Sequence, residues 1–269
     1  MVGRPALHSE AAHRPAGRGT GLLWPDTFTN LFHPQIGRAA VEVMEAAGWE
    51  VQIPSQALCC GLTWISTGQL AVARRVLRRT VAQLAPHVRA GGLVVGLEPS
   101  CTAVFRGDLP ELFPDDQDVH RIRDHTVTLA ELLTEHSDGW QPPRAPYDVT
   151  AVAQVHCHQH AVTRWDADRR LLEECGVQVE RLDSGCCGLA GNFGFTAGHG
   201  EVSRALAEQT LLPRVRAADP DTVVLADGFS CRTQIHDLDS GGRDGVHLAQ
   251  LLARLLHDTS TPRPRGGTP

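Results

Sequence analysis

The triplet Cys-Cys-Gly occurs twice in this chain, at Cys59-Cys60-Gly61 and Cys186-Cys187-Gly188, and each copy has a further cysteine downstream, Cys101 after the first and Cys231 after the second. Adjacent side chains diverge on a regular strand or helix, so aiming both thiols of a pair at one centre requires irregular backbone. In the stretch 183–194, Gly185, Gly188, Gly191 and Gly194 permit that irregularity, because glycine accepts positive φ and lets a bulky group approach the main chain. A lone pair of adjacent cysteines reads equally well as buried packing, since free cysteine is among the most buried residue types. A recurring pair with a distal partner is hard to reconcile with packing alone.

The elements around the two blocks recur in one order. In the first half, apolar patterning predicts a strand at 21–26, a helix at 35–47 closed by Gly48, and a strand at 49–53 that leads into the first Cys-Cys-Gly. A long helix at 69–90 follows, with an arginine face (Arg74, Arg75, Arg78, Arg79) and an expected break or kink near Pro86. A strand at 93–97 then leads to Cys101, and a helical segment at 126–136 closes the half. After a proline-rich linker at 141–146, the second half predicts a strand at 150–155, a helix at 166–175 stopped by Gly176, and a strand at 177–182 before the second Cys-Cys-Gly. A long helix at 201–218, a strand at 222–226 leading to Cys231, and a helix at 246–256 complete it. Leu129-Ala130-Glu131-Leu132-Leu133 mirrors Leu248-Ala249-Gln250-Leu251-Leu252, and Cys157 falls opposite Thr27 at the offset that separates Cys101 from Cys231.

This alternation predicts an α/β fold, with two tandem pseudo-repeated Rossmann-like domains and mainly parallel sheets. The expected boundaries are 21–140 and 147–257, after a disordered lead-in at 1–20 and before a flexible tail at 258–269. A length of 269 residues, beyond the usual single domain, agrees with two units. The 31 acidic residues outnumber the 25 basic ones, which argues against a nucleic-acid surface. Every basic residue is arginine, which reads as a genomic composition bias. Eight cysteines behind an N-terminus without a secretory pattern point to a reducing, cytoplasmic compartment, where clustered thiols ligate metal or do redox chemistry. No apolar run approaches transmembrane length, so membrane association is expected only through a partner.

Ligand sites in open parallel sheets gather at the carboxyl ends of the strands. Cys157, Cys186, Cys187 and Cys231 all follow predicted strands. Four soft sulfur donors suit a [4Fe–4S] cluster or tetrahedral zinc, and their origin in three separated loops, not a tight C-x2-C knuckle, favours the cluster. His156, His158 and His160 alternate on one segment, so His156 and His158 face away from Cys157 if the strand persists there; hydrogen bonding to cluster sulfur or plain solvation is expected of them. Cys175, before a helix-ending glycine, reads as packing. Asp227, Glu98 and Arg232 flank the sites and tune their charge. No Ser-His-Asp set, P-loop or Rossmann glycine fingerprint occurs.

Together the segments WPDTFTN, LCCG, GLEPSC, VHCHQHA, GCCGLAGNFG and ADGFSCRTQ resemble the cysteine-rich CCG domain family, of the type found in heterodisulfide reductase and in the iron–sulfur subunit of glycolate oxidase. The wording is most similar to the C-terminal part of proteins that fuse an FAD-linked oxidase to iron–sulfur modules, and the resemblance spans about 22–256. It implies an iron–sulfur electron-transfer component of a flavin-linked oxidoreductase acting on a small 2-hydroxy acid of the lactate or glycolate type. On this reading the chain has no turnover alone, and FAD and a ferredoxin-type centre reside in a partner chain or domain. A zinc-binding or metal-free scaffold is the alternative. The family pattern is a leading Cys, then Cys-Cys-Gly, then C-x-x-C. In the second half Gly228 takes the first place of C-x-x-C, leaving Cys157, Cys186, Cys187 and Cys231, with Gly188, Gly191 and Gly194 lining the cofactor loop. In the first half Thr27 and Glu98 replace two cysteines, so Cys59, Cys60 and Cys101 are expected to bind metal weakly or not at all.

Overall fold

The computed structural model describes residues 19–189 and 193–260. Its first half runs β1 (Thr20–Leu23), α1 (Thr27–Phe32), α2 (Pro34–Ala46), β2 (Glu50–Gln52), α3 (Leu62–Ser66), α4 (Leu70–Arg89), β3 (Leu93–Gly96), α5 (Pro99–Arg106), α6 (Asp108–Leu112), α7 (Gln117–His125), β4 (Thr126–Thr128) and α8 (Leu129–Glu135). The second half runs β5 (Val149–Ala153), a π-helical turn (Gln159–Thr163), α9 (Asp166–Glu174), β6 (Val177–Arg181), a 3-10 turn (Phe193–Phe195), α10 (Gly200–Ala207), α11 (Leu211–Ala217), β7 (Val223–Leu225), α12 (Phe229–Leu238) and α13 (Leu248–Ser260).

Each half builds a parallel sheet. The first has the order β2-β1-β3-β4, with Leu22 opposite both Gln52 and Val94 and Val95 opposite Val127. The second has the order β6-β5-β7, and Val246 adds a parallel bridge beside Leu225 at the place that β4 takes in the first. The α/β class and the parallel strands are therefore as expected. Parallel strands need crossovers that cover both faces, which is why β3 and β7 read as unbroken apolar runs.

One hydrophobic cluster runs through both halves, from Ile36, Val43 and Met44 through Leu132 to Leu171 and Leu252. It forms by exchange: α13 of the second half packs on α2 of the first, and α8 packs on α9. The other face of each sheet has its own core, around Trp24, Leu77 and Phe105 in the first half and Val152, Val215 and Ile235 in the second. Cys175 lies buried in the shared cluster, as the packing reading expects, and burial pushes its thiol up to about 12.

The structure corrects several boundaries. The segment 126–136 is not one helix: Thr126–Thr128 pairs with β3, and Thr128 then caps α8 by a reciprocal box with Glu131. The expected helix at 201–218 is two helices parted at 208–210, because Pro213 lacks the N–H that would continue one ladder. Conversely, α4 passes through Pro86 unbroken, since Pro86 sits in its last turn and removes a single bond. Val246 is extended, α13 starting only at Leu248 and reaching Ser260 within the expected tail. Short helices α1, α3, α5, α6, α7 and α12 escaped the periodicity reading because few turns give few repeats. Of the expected lead-in at 1–20, Thr20 instead begins β1, while 1–18 lie outside the described residues, as do 261–269 of the expected tail.

Candidate metal centre

Three chain segments reach the carboxyl edge of the second sheet with a thiol. After β5 the chain turns, and Cys157 is held by its neighbours: the His156 N–H donates to Gln159 Oε1 (3.1 Å). After β6 comes the Cys-Cys-Gly turn, in which Gly188 has φ +70 and its N–H donates to Cys186 Sγ (3.4 Å). The Cys187 carbonyl accepts from Ser203 Oγ (2.7 Å) and Gln234 Nε2 (2.6 Å), so the turn is anchored by main-chain bonds that do not involve the thiols. After β7, Cys231 sits in the first turn of α12 and is buried. Gly194 also touches the turn: a Cβ there would lie 2.3 Å from Leu189 Cδ2. Gly191 lies outside the described residues.

These four thiols follow the strand ends of one sheet and influence one another's acidity, Cys186 with Cys157 and Cys187, and Cys187 with Cys231. The two neighbouring thiols hold Cys186 down to about 2, whereas Cys157 and Cys187 are pushed up. Cys186 is the exposed member of the set. A polarisable sulfur set of this kind fits a thiophilic metal or cluster, which would bind the deprotonated thiols.

The histidines differ from expectation. The strand ends at Ala153, so the alternation that would turn His156 and His158 away from Cys157 does not apply. Their rings stack at 5.3 Å, and the Nδ1 atoms of His156 and His158 lie 3.9 and 3.8 Å from Cys157 Sγ. Burial lowers His156 to about 4, so it is a neutral imidazole. Its ring fills the space over Gly228: a Cβ at 228 would lie 2.2 Å from His156 Cδ2. Replacing Gly228 by alanine is expected to lower stability by about 1–3 kcal/mol through this clash. Urea denaturation should show the loss, and adding His156→Ala should relieve part of it.

The first half repeats the plan with fewer sulfurs. Cys60 and Cys101 are buried with their sulfurs 2.9 Å apart, and the Gly61 N–H donates to Cys59 Sγ at 3.4 Å, the value seen in the second turn. Thr27 stands at the start of α1, where the other half has Cys157.

Between the two edges lies a buried polar joint. Glu98 accepts from Ser100 Oγ and, across the halves, from the Phe229 N–H, both at 2.8 Å. Phe229 also stacks on Phe28 at 4.5 Å. Gln159 Nε2 donates to Asp227 (3.1 Å) and Asp168 (3.4 Å), whose carboxyl is pushed up by burial and the Asp227 charge. His247 Nε2 donates to the Leu97 carbonyl (3.1 Å) while Nδ1 accepts from the Ala249 N–H (3.0 Å). Sequence reasoning marked Glu98, Asp227 and Arg232 but missed Asp26, Gln159, Asp168 and His247. Only His247 carried a signal, since it precedes the mirrored Leu-Ala-x-Leu-Leu.

Burial lowers His247, and its two ring bonds are satisfied only by the neutral form. A base whose folded value lies below the unfolded one stabilises the fold above about 6.5, and that contribution is lost as pH falls. Between pH 7 and pH 5 the chain should lose stability at up to about 1.4 kcal/mol per pH unit below that value. The gap between denaturation midpoints at the two pH values should narrow in His247→Gln, with the remainder due to the buried His156.

Duplicated parallel α/β halves with thiol groups at facing strand ends define the class of protein. Comparison with known families places it further: a model of the CCG cysteine-rich domain matches residues 26–106 and 153–236, one segment in each half, and the chain belongs to this family. It is similar to the C subunit of anaerobic glycerol-3-phosphate dehydrogenase from Escherichia coli (strain K12), 30% identical over 251 residues that cover 92% of this chain and 62% of that one. It is also similar to lactate utilization protein A of Bacillus subtilis (strain 168), 24% identical over 246 residues covering 86% and 97%. D-2-hydroxyglutarate dehydrogenase of Pseudomonas putida is 27% identical over 227 residues, covering 82% of this chain and 21% of its own length. The chain thus spans 62% of the glycerol-3-phosphate dehydrogenase component. Among the described residues, no helix is long and apolar enough to cross a membrane.

Proposed function

We propose that this protein is an iron–sulfur electron-transfer component of a flavin-linked oxidoreductase that acts on a small 2-hydroxy acid of the lactate or glycolate type. The observation that supports the reading is that Cys157, Cys186, Cys187 and Cys231 follow three separate strand ends of one parallel sheet and influence one another's acidity. Membership of the CCG family and the dehydrogenase names of its relatives support it. On this reading residues 21–140 and 147–257 are two CCG-type repeats, and the four second-half cysteines hold the centre, a [4Fe–4S] cluster by donor set. Such a cluster supplies one-electron transfer. Oxidation of a 2-hydroxy acid is a two-electron step, so FAD belongs to a partner oxidase, with a ferredoxin-type centre in the same or another partner.

The protein's own residues bind and insulate the centre. Main-chain anchoring of Cys187 fixes the turn, the Gly188 N–H bonds the Cys186 sulfur, and Gly188 and Gly194 add no side-chain bulk to the loop that an approaching partner would meet. On this reading the chain is cytoplasmic, and any membrane association is made through its partner. Zinc is the second reading, favoured by the grouping of His156, Cys157 and His158 ligand atoms within 4.8 Å.

The test supplies lactate or glycolate and an artificial acceptor to the purified, cluster-loaded protein. No turnover is expected until a flavoprotein partner is added, whereupon the cluster should be reduced. Turnover by the protein alone would overturn the relay assignment, and stoichiometric zinc at the second-half site without iron and sulfide would favour the second reading.

A further inference from the structure

We propose that the exposed arginine face of α4 is a docking surface for a protein partner that presents an acidic face. Between Glu50 and Glu98 the sequence holds no acidic residue, although the whole chain has 31 of them and a net charge of −6. This acid-free stretch contains all of α4, on which Arg74, Arg75, Arg78 and Arg79 are exposed. Their spacing stacks Arg74 on Arg78 and Arg75 on Arg79, one turn apart on the same side of the helix. Like charges at that spacing destabilise a helix, and a facing set of carboxylates would offset the repulsion.

Nothing within the chain neutralises this block. Among the described residues, none of the four arginines forms an ion pair. The guanidinium groups of Arg74 and Arg78 lie 5.5 and 5.7 Å from the centre of the Phe113 ring, which orders them and leaves their charge in place. The second half treats its arginines differently. Between its cysteine turn and its last strand, both arginines of α11 are paired, Arg214 with Glu180 and Arg216 with Glu208.

The surroundings select a protein as the occupant. The apolar face of α4, with Leu77, Val81, Leu84 and Val88, is buried in the first-half core, so the helix has no apolar side left to enter a bilayer. A cavity of about 400 Å³ between α4 and α7 adjoins the block, lined in part by Arg78, Arg89, Phe113, Asp116 and Asp118. Arg89 is already bonded to Asp118, so Arg78 is the cation left for an acidic side chain entering from a partner. The two aspartates confine the positive field to the arginine turns, which suits a compact acidic contact and opposes a polyanion laid along the helix. On its inner side α4 holds the first cysteine turn, Thr80 Oγ donating to the Cys59 carbonyl at 2.9 Å. The half with fewer sulfurs would thus carry the docking face.

The experiment places a photo-crosslinking residue at Gln83, exposed on the same helix beyond the block, in the full chain expressed in its native host. It should yield a protein adduct whose cross-linked segment is rich in Asp and Glu. Arg75→Glu with Arg79→Glu should lower the adduct at least about tenfold, because reversed charges repel the acidic face. Arg169→Glu with Arg170→Glu, an equal change of net charge on α9, should leave it unchanged. Arg75→Gln with Arg79→Gln removes repulsion within α4, so it should lower the adduct at an unchanged or raised denaturation midpoint. An adduct insensitive to the α4 changes, equal losses from the α9 pair, or a lipid or nucleic-acid adduct in place of protein would each overturn the proposal. So would sedimentation with phosphatidylglycerol vesicles that is abolished by the α4 reversal. Iron and acid-labile sulfide in the same samples report on the relay reading separately, since the cross-link requires no electron transfer.

Discussion

Cys187→Ser is expected to abolish the visible iron–sulfur absorption completely, whereas Cys60→Ser should leave most of it. Cys187 is 4% exposed, and its thiol is pushed up by those of Cys186 and Cys231 on either side of it in the set. A serine hydroxyl has nearly the same shape but is a poor ligand for iron, so the substitution removes the central sulfur without opening a cavity. The turn itself should survive, because the Cys187 carbonyl stays bound to Ser203 and Gln234. Cys60 lies in the other half, which has three thiols. Iron and acid-labile sulfide assays after anaerobic purification give the comparison, and equal losses from the two substitutions would contradict the assignment of the cluster to the second half.

Removing the Glu98 side chain is expected to destabilise the whole chain by about 3 kcal/mol, since two buried donors lose their acceptor at once. Glu98 precedes α5, and its carboxylate receives the first N–H of α12, so one side chain ties the helix starts that carry Cys101 and Cys231. Burial pushes its carboxyl up, and the Arg232 charge with the Phe229 and Ser100 bonds, partners from both halves, opposes that shift. Glu98→Ala should therefore lower the urea midpoint of a single transition that includes both halves, as their shared core requires. Ser100→Ala, which removes only one of the two donors, should cost about 1 kcal/mol. A Glu98→Ala chain with unchanged stability would show that the cross-half bond contributes nothing.

Much of the plan was legible in the residues because it rests on local chemistry. Apolar runs at 93–97 and 222–226 can be satisfied only as buried strands, and a cysteine past each end must then fall on the ligand edge of a parallel sheet. The mirrored Leu-Ala-x-Leu-Leu segments marked α8 and α13, which become the helices exchanged across the core. Glycine after each cysteine pair announced a turn, and Gly61 and Gly188 both take the left-handed conformation that a side chain would strain.

Tertiary structure alone decided which polar groups meet. Asp26, Glu98, Asp168 and His247 are scattered along the chain, and no pattern in the sequence shows that they will be buried together. They meet because the two sheets turn their carboxyl edges towards one joint, where desolvation makes every polar atom require a partner. The same holds for His156. A continuing strand would have aimed it away from Cys157, but the chain turns after Ala153 and lays the imidazole where a side chain at 228 would otherwise stand. Sequence periodicity determined the elements and the edge on which the thiols lie. The contacts among those thiols, and the charges around them, depend on distances that only the folded pair of halves sets.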